Sequence, residues 1–461
     1  MKSLASIVLC AGKGTRMKSA RAKVLHEVLG HPLGTCSIRR ALEVGASPVV
    51  VVVGHQAEEV QKAFEADLVG APVTFALQRE QLGTAHAVHC GRPKIPKSIK
   101  EVLILYGDTP LIRSQTLAAL VKAKRSRKTP VAMVTMVPLD PKGYGRVVRD
   151  DDGQVRRIVE DKDCTPEEAL VGEVNAGLYL VDAAFLWKAL ERVGQKNSQR
   201  EFYLTDLAEL AFLSGKPVAT VSAPAEEVGG VNDRVELARA CTALRHRLNA
   251  DLMRAGVTLD DPESTWIEEG VRIGPDTRIG AGCVLRGATT LGKNVRVGHG
   301  CVIQASSIGD GAQIKDYSSL DEAKVGKEAL IGPFARLRPG TELADRVHVG
   351  NFVETKKAKI GKGSKANHLT YLGDCEIGAG VNVGAGTITC NYDGVHKHKT
   401  VLGDGVFVGS DSQFVAPITV GRGSYIAAGS TITEDVPPDS LALGRARQVT
   451  KKDYLKKRKA G

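Results

Sequence analysis

The stretch LCAGKGTRM, Leu9 to Met17, has the residue types of a phosphate-binding loop. Two glycines, a lysine, a threonine and an arginine follow one another directly after a short apolar run. Glycine lets backbone N–H groups approach phosphate oxygens, and the cations offset the phosphate charge. The spacing is not that of a P-loop, because Gly14 separates Lys13 from Thr15, and no GxGxxG fingerprint can be drawn. The sequence therefore predicts a phosphate-binding loop of another kind.

Acidic residues follow other apolar runs, and Asp108 by itself could be a helix N-cap. YGD, Tyr106 to Asp108, places an acid directly after the run EVLIL. Asp161 with Asp163 is an alternative pair that resembles the DxD of glycosyltransferases. The run at positions 150–152 is a second alternative, but it continues into Gly153 and is more typical of a turn.

Histidines offer a base or a metal ligand at two places. His86 and His89, three residues apart, indicate a metal pair only weakly. His368 lies in KANHLTY, downstream of several cations, namely Arg336, Arg338, Lys356 and Lys357. A histidine in a repeat protein is commonly an exposed corner residue, although its pKa near neutral pH also suits a general base. The residues alone leave both interpretations open.

The first half of the chain has the pattern of a doubly wound α/β fold. Apolar runs alternate with segments of helical spacing, and the runs predicted as buried strands are SIVL, PVVVVV, VTFAL and EVLILY. Ligands of parallel sheets bind beyond the carboxyl ends of the strands. LCAGKGTRM and YGD both follow strands directly, so both loops are expected at one functional edge.

The second half has a period of six. An apolar residue recurs at Ile267, Ile273, Ile279, Leu285, Leu291, Val297 and Ile303, and again at Leu402, Val408, Phe414, Val420, Ile426 and Ile432. Such hexads predict a parallel β-helix with one short strand per hexad. After Ile360 the hexad position falls on small Ala366, which predicts a drift of register there. CNYDGVHKHKTV is predicted to leave the coil as a loop, and such loops commonly form binding faces.

Length and composition bound the remaining possibilities. A chain of 461 residues is too long for a single hydrophobic core, so more than one domain is expected. A linker helix at residues 232–255 is predicted to join a domain at residues 1–231 to a domain at residues 256–461. Part of the net charge of +11 lies in the basic tail. The basic residues are not interleaved with aromatic residues, so the sequence does not indicate nucleic-acid binding. Nine cysteines without a CxxC pair favour a reducing cytoplasm, and no apolar run approaches the length of a membrane span.

These motifs together resemble the GlmU family of bacterial bifunctional enzymes. The resemblance rests on LCAGKGTRM, QLGT at 81–84, YGD, GYGR at 143–146, GPFARLRPG, GNFVETKKAKIGKGSKANHLTYLGD and GAGTITCNYDG, and it spans almost the whole chain. It implies a Rossmann-like nucleotidyltransferase domain followed by a left-handed parallel β-helix. It also implies acetylation of glucosamine 1-phosphate by acetyl-CoA, then joining of N-acetylglucosamine 1-phosphate to UTP, which gives the cell-wall precursor UDP-N-acetylglucosamine and pyrophosphate. Magnesium and a homotrimer are further implications.

The resemblance also assigns residues of the first half. Arg16 and Lys23 are expected to neutralise charge on the phosphates. Asp108 and Asn232 match the magnesium ligands of the family. The nucleotide and sugar contacts are Leu9, Ala11, Gly12, Lys23, Tyr106, Gly107 and Asp108 for the nucleotide, Gln78, Gly83 and Thr84 for uracil, and Gly145, Glu160 and Asn175 for the sugar.

In the second half the resemblance makes His368 the base of acetyl transfer, with Glu354 orienting its imidazole. The sugar-phosphate contacts are Arg338, Lys356, Tyr371 and Asn382, and the acetyl-CoA contacts are Ala385, Asn391, Tyr392, Ser410, Ala428 and Arg445. Two alternatives stay open, a nucleotidyltransferase with a merely structural or regulatory β-helix and a non-enzymatic scaffold. Neither would need both sets of residues.

Overall fold

The structure is a computed structural model that describes residues 3–459. Contacts divide the chain into two compact units, Met1–Leu244 and Arg245–Gly461. The helix Arg234–Arg254 occupies most of the stretch that the sequence predicts as a linker. Within the described range, no helix is both long enough and apolar enough to cross a membrane.

The first unit is built on a nine-stranded mixed sheet with both parallel and antiparallel pairings. The strands of this unit are β1 (Leu4–Cys10), β2 (Glu27–Val28), β3 (His31–Pro32), β4 (Val49–Val53), β5 (Val73–Leu77), β6 (Glu101–Tyr106), β7 (Val131–Met136), β8 (Arg146–Arg149), β9 (Val155–Val159), β10 (Val174–Asp182) and β11 (Val218–Ser222). The order is β11-β7-β10-β6-β1-β4-β5, with β8 and β9 attached beside β10. The pairings of β8, β9 and β10 are antiparallel. The predicted Rossmann-like α/β fold is confirmed.

Helices alternate with these strands and follow the last of them. They are α1 (Leu33–Glu43), α2 (Ala57–Asp67), α3 (Thr84–Gly91), α4 (Ser114–Arg127), α5 (Pro166–Ala169), α6 (Ala183–Leu190), α7 (Asp206–Leu213), α8 (Ala225–Val228) and α9 (Arg234–Arg254), with 3₁₀ turns at Thr15–Met17, Lys23–Leu25, Arg92–Lys94 and Asp161–Asp163. Alternate valines of β4 pack into two different hydrophobic clusters, so this central strand is buried on both faces.

The edge strand β5 corrects one expectation. The sequence predicts a buried strand at VTFAL, but only Ala76 is buried and Leu77 is 51% exposed. β5 pairs with β4 on one side and ends the sheet on the other. An edge strand keeps fewer neighbours than a central one, which explains its exposure.

The second unit is a parallel β-helix of short strands. In chain order β12 to β39 are Thr258–Leu259, Trp266–Ile267, Arg272–Ile273, Arg278–Ile279, Val284–Arg286, Thr290–Leu291, Arg296–Val297, Val302–Gln304, Ser307–Ile308, Gln313–Ile314, Ser319–Asp321, Lys324–Val325, Leu330–Ile331, Arg336–Leu337, Glu342–Leu343, His348–Asn351, Glu354–Ile360, Lys365–His368, Tyr371–Ile377, Asn382–Val383, Ile388–Cys390, Thr400–Leu402, Phe407–Val408, Gln413–Val415, Ile418–Val420, Tyr425–Ile426, Thr431–Ile432 and Leu441–Ala442. A short helix, α10 (Tyr454–Lys459), lies in the basic tail, whose last two residues are outside the described range.

Each coil of the β-helix contains three hexads. Ile279 pairs with Val297, which pairs with Ile314, and these residues fill a continuous buried column. Glycine follows many of the strands because the coils stack closely. A Cβ added at Gly274 would lie 2.7 Å from the carbonyl carbon of Gly292 in the next coil. The predicted hexad architecture is confirmed.

The register does not drift at Ala366, contrary to the sequence expectation. Ala366 pairs with Val349 before it and Val383 after it, and it is buried in the same column. A small side chain thus takes the hexad position without shifting the ladder. The predicted insertion does leave the coil, because Cys375 pairs directly with Thr400 and residues 391–399 loop out.

Candidate functional site

The loop after β1 is shaped by its glycines. Gly14 has φ +62°, and a Cβ at this position would overlap the Cβ of Lys23. Glycine at position 14 is therefore needed both for the backbone conformation and for the close approach of Lys23. Gly12 differs, because a Cβ there would meet nothing within 4 Å. Arg16 lies on the exposed side of this loop.

Lys23 brings two predicted metal ligands to one point. Its Nζ lies 2.5 Å from Oδ2 of Asp108 and 3.4 Å from Oδ1 of Asn232. The side chains of Lys23 and Asp108 are 13% and 19% exposed, so solvent only partly screens the pair. The three residues come from distant parts of the sequence, and the oxygens of Asp108 and Asn232 converge on the Lys23 ammonium.

Three hydrogen bonds fix the position of the segment that carries Asn232. The N–H of Val231 donates to the carbonyl oxygen of Asp108 at 2.7 Å, and the N–H of Asn232 donates to Oε2 of Glu236 at 2.6 Å. Nε of Arg234 donates to the carbonyl oxygen of Met17 at 3.2 Å. The start of α9 is thus tied to both functional loops.

A cavity of about 200 Å³ opens beside this ion pair. Its lining consists of Leu9, Cys10, Ala11, Gly12, Lys23, Val24, Gln78, Gln81, Gly83, Thr84, Ala87, Tyr106, Asp108 and Glu201. Most of the residues predicted for the nucleotide therefore lie around one cavity. Gly107 lies behind it, because a Cβ there would overlap Sγ of Cys10.

The residues predicted to hold the sugar form a neighbouring group. The N–H of Asn175 donates to the carbonyl oxygen of Gly145 at 2.8 Å, and a Cβ at Gly145 would lie 3.6 Å from Oε1 of Glu160. The Thr205 hydroxyl donates to that oxygen at 3.0 Å. Burial raises the pKa of Glu160, and the Thr205 hydrogen bond opposes the rise. Burial also raises the pKa of Tyr106, followed by the charge of Glu160.

The alternative metal ligands are engaged elsewhere. Asp161 is paired with Arg146 at 2.9 Å, and Asp163 accepts from the N–H of Ser198 at 2.9 Å. Oδ1 of Asp150 accepts backbone N–H groups of its own turn, as the sequence interpretation expects. No group of three or more His, Cys, Asp or Glu that could hold a metal is found among the described residues.

In the β-helix, one corner carries His368 and three of the predicted acetyl-CoA residues. The buried residues Ala366, Val383, Val408 and Ile426 pair in succession through four coils. Two positions after each of them stand His368, Ala385, Ser410 and Ala428. The ladder therefore aligns these four residues along one corner, in consecutive coils.

Hydrogen bonds continue along this corner. The N–H of Asp411 donates to the carbonyl oxygen of Ala385 at 2.7 Å, and the N–H of Gly429 donates to that of Ser410 at 2.8 Å. Nη1 of Arg445 donates to the carbonyl oxygen of Ala428 at 2.6 Å. Arg445 thus lies at the end of the same column.

His368 and Glu354 have different partners from the predicted ones. Nδ1 of His368 lies 3.1 Å from Oδ1 of Asn351, which faces it in the preceding coil. Oε1 of Glu354 accepts from Nη1 of Arg338 at 2.7 Å, and Oε2 lies 3.9 Å from Nη1 of Arg336. Within the described residues the imidazole is therefore oriented by Asn351, and Glu354 holds Arg338.

A cluster of cations surrounds the predicted phosphate site. Arg338 directly follows β25 and lies beside Lys356 of β28, because Arg336 pairs with Glu354. The adjoining Lys397 is the main cause that lowers the pKa of Lys356, followed by desolvation and then the charge of Arg338. Crowded positive charges of this kind attract a dianionic phosphate.

The loop that leaves the coil carries two predicted contacts. Nδ2 of Asn391 donates to Oδ2 of Asp374 at 2.5 Å, and the Tyr392 hydroxyl donates to the carbonyl oxygen of Gly394 at 2.5 Å. Oδ1 of Asp393 accepts from the N–H of His396. This bond, with the His398 ring beside the carboxylate, lowers the pKa of Asp393 to about 2.

Tyr371 and Asn382 lie on different faces of the β-helix. Tyr371 pairs with Glu354, whereas Asn382 pairs with Lys365 on the face that leads to His368. Sequence reasoning missed Asn351 and Lys397. Asn351 could have been found, because it stands one coil of 17 residues before His368.

Comparisons with protein families agree with the two units. Residues 6–171 match the MobA-like NTP transferase domain. Residues 267–360 match the GMPPB C-terminal domain, and residues 399–434 match the bacterial transferase hexapeptide repeats. The NTP transferase match thus lies in the first unit, and the hexapeptide match lies in the second.

Curated relatives match the chain from end to end. The bifunctional protein GlmU of Anaeromyxobacter sp. (strain Fw109-5) is 57% identical, over 99% of this chain and 93% of its own. The proteins of the same name from Trichlorobacter lovleyi and Geobacter sulfurreducens are 52% and 49% identical over 99% of this chain, covering 99% and 100% of their own. The chain therefore belongs to the GlmU family and is a bifunctional transferase, a nucleotidyltransferase joined to a hexapeptide-repeat acetyltransferase.

Proposed function

We propose that the chain acetylates glucosamine 1-phosphate with acetyl-CoA and then transfers UMP from UTP to the product. The products of the second step are UDP-N-acetylglucosamine and pyrophosphate. Family membership supports these substrates, and the two separate groups of side chains are suited to them. The limits 1–231, 232–255 and 256–461 are proposed for the two activities and the linker.

In the first unit, the glycine loop receives the triphosphate of UTP. Backbone N–H groups at Gly12 approach the phosphates, and Lys23 and Arg16 neutralise charge on the α-phosphate and the leaving pyrophosphate. The observation that carries this assignment is the convergence of Lys23, Asp108 and Asn232 beside the cavity.

The donor set also fits Mg²⁺. Asp108 and Asn232 present hard oxygen ligands around the point that the Lys23 ammonium occupies. Mg²⁺ takes oxygen ligands and usually retains waters and substrate phosphates, so two protein ligands suffice. When bound, the ion supplies charge stabilisation to the reacting phosphates. Lys23 is then free to move toward a phosphate oxygen.

The base and the sugar occupy the two neighbouring parts of this site. Gln78, Gly83 and Thr84 receive uracil on the cavity wall. The sugar lies against Gly145, Glu160 and Asn175, where its hydroxyl groups meet the half-buried carboxylate of Glu160. The phosphate oxygen of the sugar then attacks the α-phosphorus of UTP, and pyrophosphate leaves.

In the second unit, His368 is the general base of acetyl transfer. The sugar amine attacks the thioester carbonyl of acetyl-CoA, His368 takes a proton from the nitrogen, and CoA leaves as its thiol after protonation. The observation that carries this assignment is the alignment of His368 with Ala385, Ser410 and Ala428 along one corner. Asn391 or the N–H of Ala385 is proposed to face the developing oxyanion.

The substrates of acetyl transfer meet at that corner. Arg338 and Lys356 bind the phosphate of the sugar, and Tyr371 and Asn382 bind the sugar itself. Acetyl-CoA follows the column from Ala385 with Asn391 and Tyr392 at its side, and ends at Ser410, Ala428 and Arg445. Glu354 is proposed to act through Arg338, and its predicted contact with the imidazole stays a prediction.

We also infer a homotrimer in a reducing cytoplasm. Tyr317, Phe334 and Phe352 stack at 5.4 and 5.5 Å between ring centroids and are 60%, 48% and 57% exposed. Leu369 continues the stripe directly after His368 and is 64% exposed. Exposed apolar stripes of this size commonly mark protein contacts, and a second copy here would adjoin the acetyl-transfer site. All nine cysteines are free thiols, which suits a reducing compartment.

Paired assays test the proposed function. CoA release with glucosamine 1-phosphate reports acetyl transfer, and pyrophosphate release with UTP and N-acetylglucosamine 1-phosphate reports uridylyl transfer. Both are expected from the same preparation. Pyrophosphate release without CoA release would indicate a nucleotidyltransferase with a structural β-helix, and loss of both would indicate a scaffold.

A further inference from the structure

The amide of Gln78 is held in one orientation by the protein. Its Nε2 donates to the carbonyl oxygen of Gly83 at 3.1 Å and lies 3.1 Å from Nδ1 of His86. A backbone carbonyl oxygen accepts and never donates, so the NH₂ side of the amide has to face Gly83. Oε1 is therefore on the opposite side. Gln78 lines the cavity, and within the described residues no protein group donates to Oε1.

The same contacts define the tautomer of His86. The Gln78 NH₂ group only donates, so Nδ1 of His86 has to accept and the ring proton is on Nε2. Nε2 lies 3.7 Å from Sγ of Cys90, which is four residues further along α3. Gln78 is 3% exposed, so water does not replace these partners. The chain of contacts from Cys90 through His86 to Gln78, here called the relay, thus ends at Oε1 of Gln78. This oxygen accepts from no protein group of the described residues and lies at the cavity.

We propose that His86 is a positioning residue for base selection, because it holds Oε1 of Gln78 toward the nucleotide. This inference rests on the proposed contact of Gln78 with uracil. Uracil offers an N3–H donor to that acceptor, whereas cytosine offers an unprotonated N3, which would face Oε1 as a second acceptor. A site built to hydrogen-bond one partner discriminates strongly against an analogue that lacks the matching group.

The ratio of kcat/KM for UTP to that for CTP tests this proposal in the full-length protein. His86→Leu removes one of the two acceptors that hold the NH₂ group and leaves only the Gly83 carbonyl oxygen. The amide then turns its NH₂ group toward the base more easily, so the ratio is expected to fall roughly tenfold, the scale of one hydrogen bond. The value of kcat/KM should fall less for CTP than for UTP. His86→Met places only a weakly accepting thioether sulfur near this position and should also lower the ratio. His86→Asn keeps an oxygen near the position of Nδ1 and should retain most of the ratio.

Two controls separate the possible failures. His89→Leu changes an exposed histidine of the same helix and should leave the ratio unchanged. Gln78→Ala should collapse the ratio. If it does while His86→Leu and His86→Met do not, the relay is overturned and the uracil contact stands. An unchanged ratio in Gln78→Ala overturns both. An equal loss with UTP and CTP in the His86 variants also overturns the proposal, since a merely structural role would give that result.

Discussion

Nζ of Lys23 lies 2.5 Å from Oδ2 of Asp108, although the two residues are 85 positions apart. The ammonium occupies the point toward which the Asn232 oxygen also turns. The site thus carries its own cation, which compensates the carboxylate of Asp108. A divalent ion bound at this point would take the place of the ammonium, and the Lys23 charge would then be available to the phosphates.

Asp108→Asn is expected to reduce uridylyl transfer by about 100-fold or more while leaving acetyl transfer intact. The amide keeps the shape of the carboxylate but loses the charge that holds a hard cation. Pyrophosphate release and CoA release measure the two activities on one preparation. Glu59→Gln, an exposed acid of the same unit, is the control. Equal loss of both activities would contradict the separation of the sites.

Gly12→Ala is expected to weaken UTP binding, whereas Gly14→Ala is expected to lower the stability of the protein. The space beside Gly12 is open, so its methyl group should raise the KM for UTP without changing the melting temperature. Gly14 has φ +62° and adjoins Lys23, so alanine there costs about 1–2 kcal/mol of backbone strain plus a clash. Thermal melts and UTP titrations distinguish the two. A similar effect of both variants would contradict the loop geometry.

Arg338→Ala is expected to raise the KM for glucosamine 1-phosphate at least tenfold, because a bidentate phosphate contact is lost. The KM for acetyl-CoA should change little. Arg336→Ala is the matched control, since Arg336 lies 3.9 Å from Glu354 and its side chain is 63% exposed. Loss of acetyl-CoA affinity with unchanged sugar affinity would reassign Arg338.

His368→Ala is expected to lower acetyl turnover by roughly 10²–10⁴-fold, the range for one general base. Uridylyl transfer should be unchanged. His246→Ala serves as control, because His246 is an exposed histidine paired with Glu263 at 2.8 Å. Near-parent acetylation by His368→Ala from about pH 6 to 9, the range around an ordinary imidazole pKa, would exclude the base role and make Glu354 the next candidate.

Asp393→Ala is expected to raise the KM for acetyl-CoA, because the loop that carries Asn391 and Tyr392 loses its internal acceptor. The pKa of Asp393 is lowered from 3.8 to about 2, chiefly by the His396 N–H. A lowered pKa means that the carboxylate stabilises the loop above pH 3.8 and loses this effect as the pH falls toward 2. Amide hydrogen exchange of residues 391–399 should therefore rise in the variant at pH 7. Unchanged exchange would contradict the anchoring role.

Local pattern determined much of the architecture. The hexads predict the β-helix because each short strand and its glycine corner repeat a local geometry that stacking only propagates. The runs SIVL, PVVVVV and EVLILY predict central strands for a similar reason, since residues covered on both faces are apolar throughout. The glycines of LCAGKGTRM predict a phosphate loop because backbone freedom is a property of the residue itself.

Tertiary structure decided what depends on neighbours distant in sequence. Exposure of β5 follows from its place at the sheet edge, and the register at Ala366 follows from the pairing of adjacent coils. Glu354 meets Arg338, and His368 meets Asn351, because adjacent coils bring residues 16 and 17 positions apart beside each other. Asn232 is 209 positions from Lys23, and only the fold brings them within 3.4 Å. Sequence determines the residue types and local periods, whereas distances between side chains depend on how the whole chain packs.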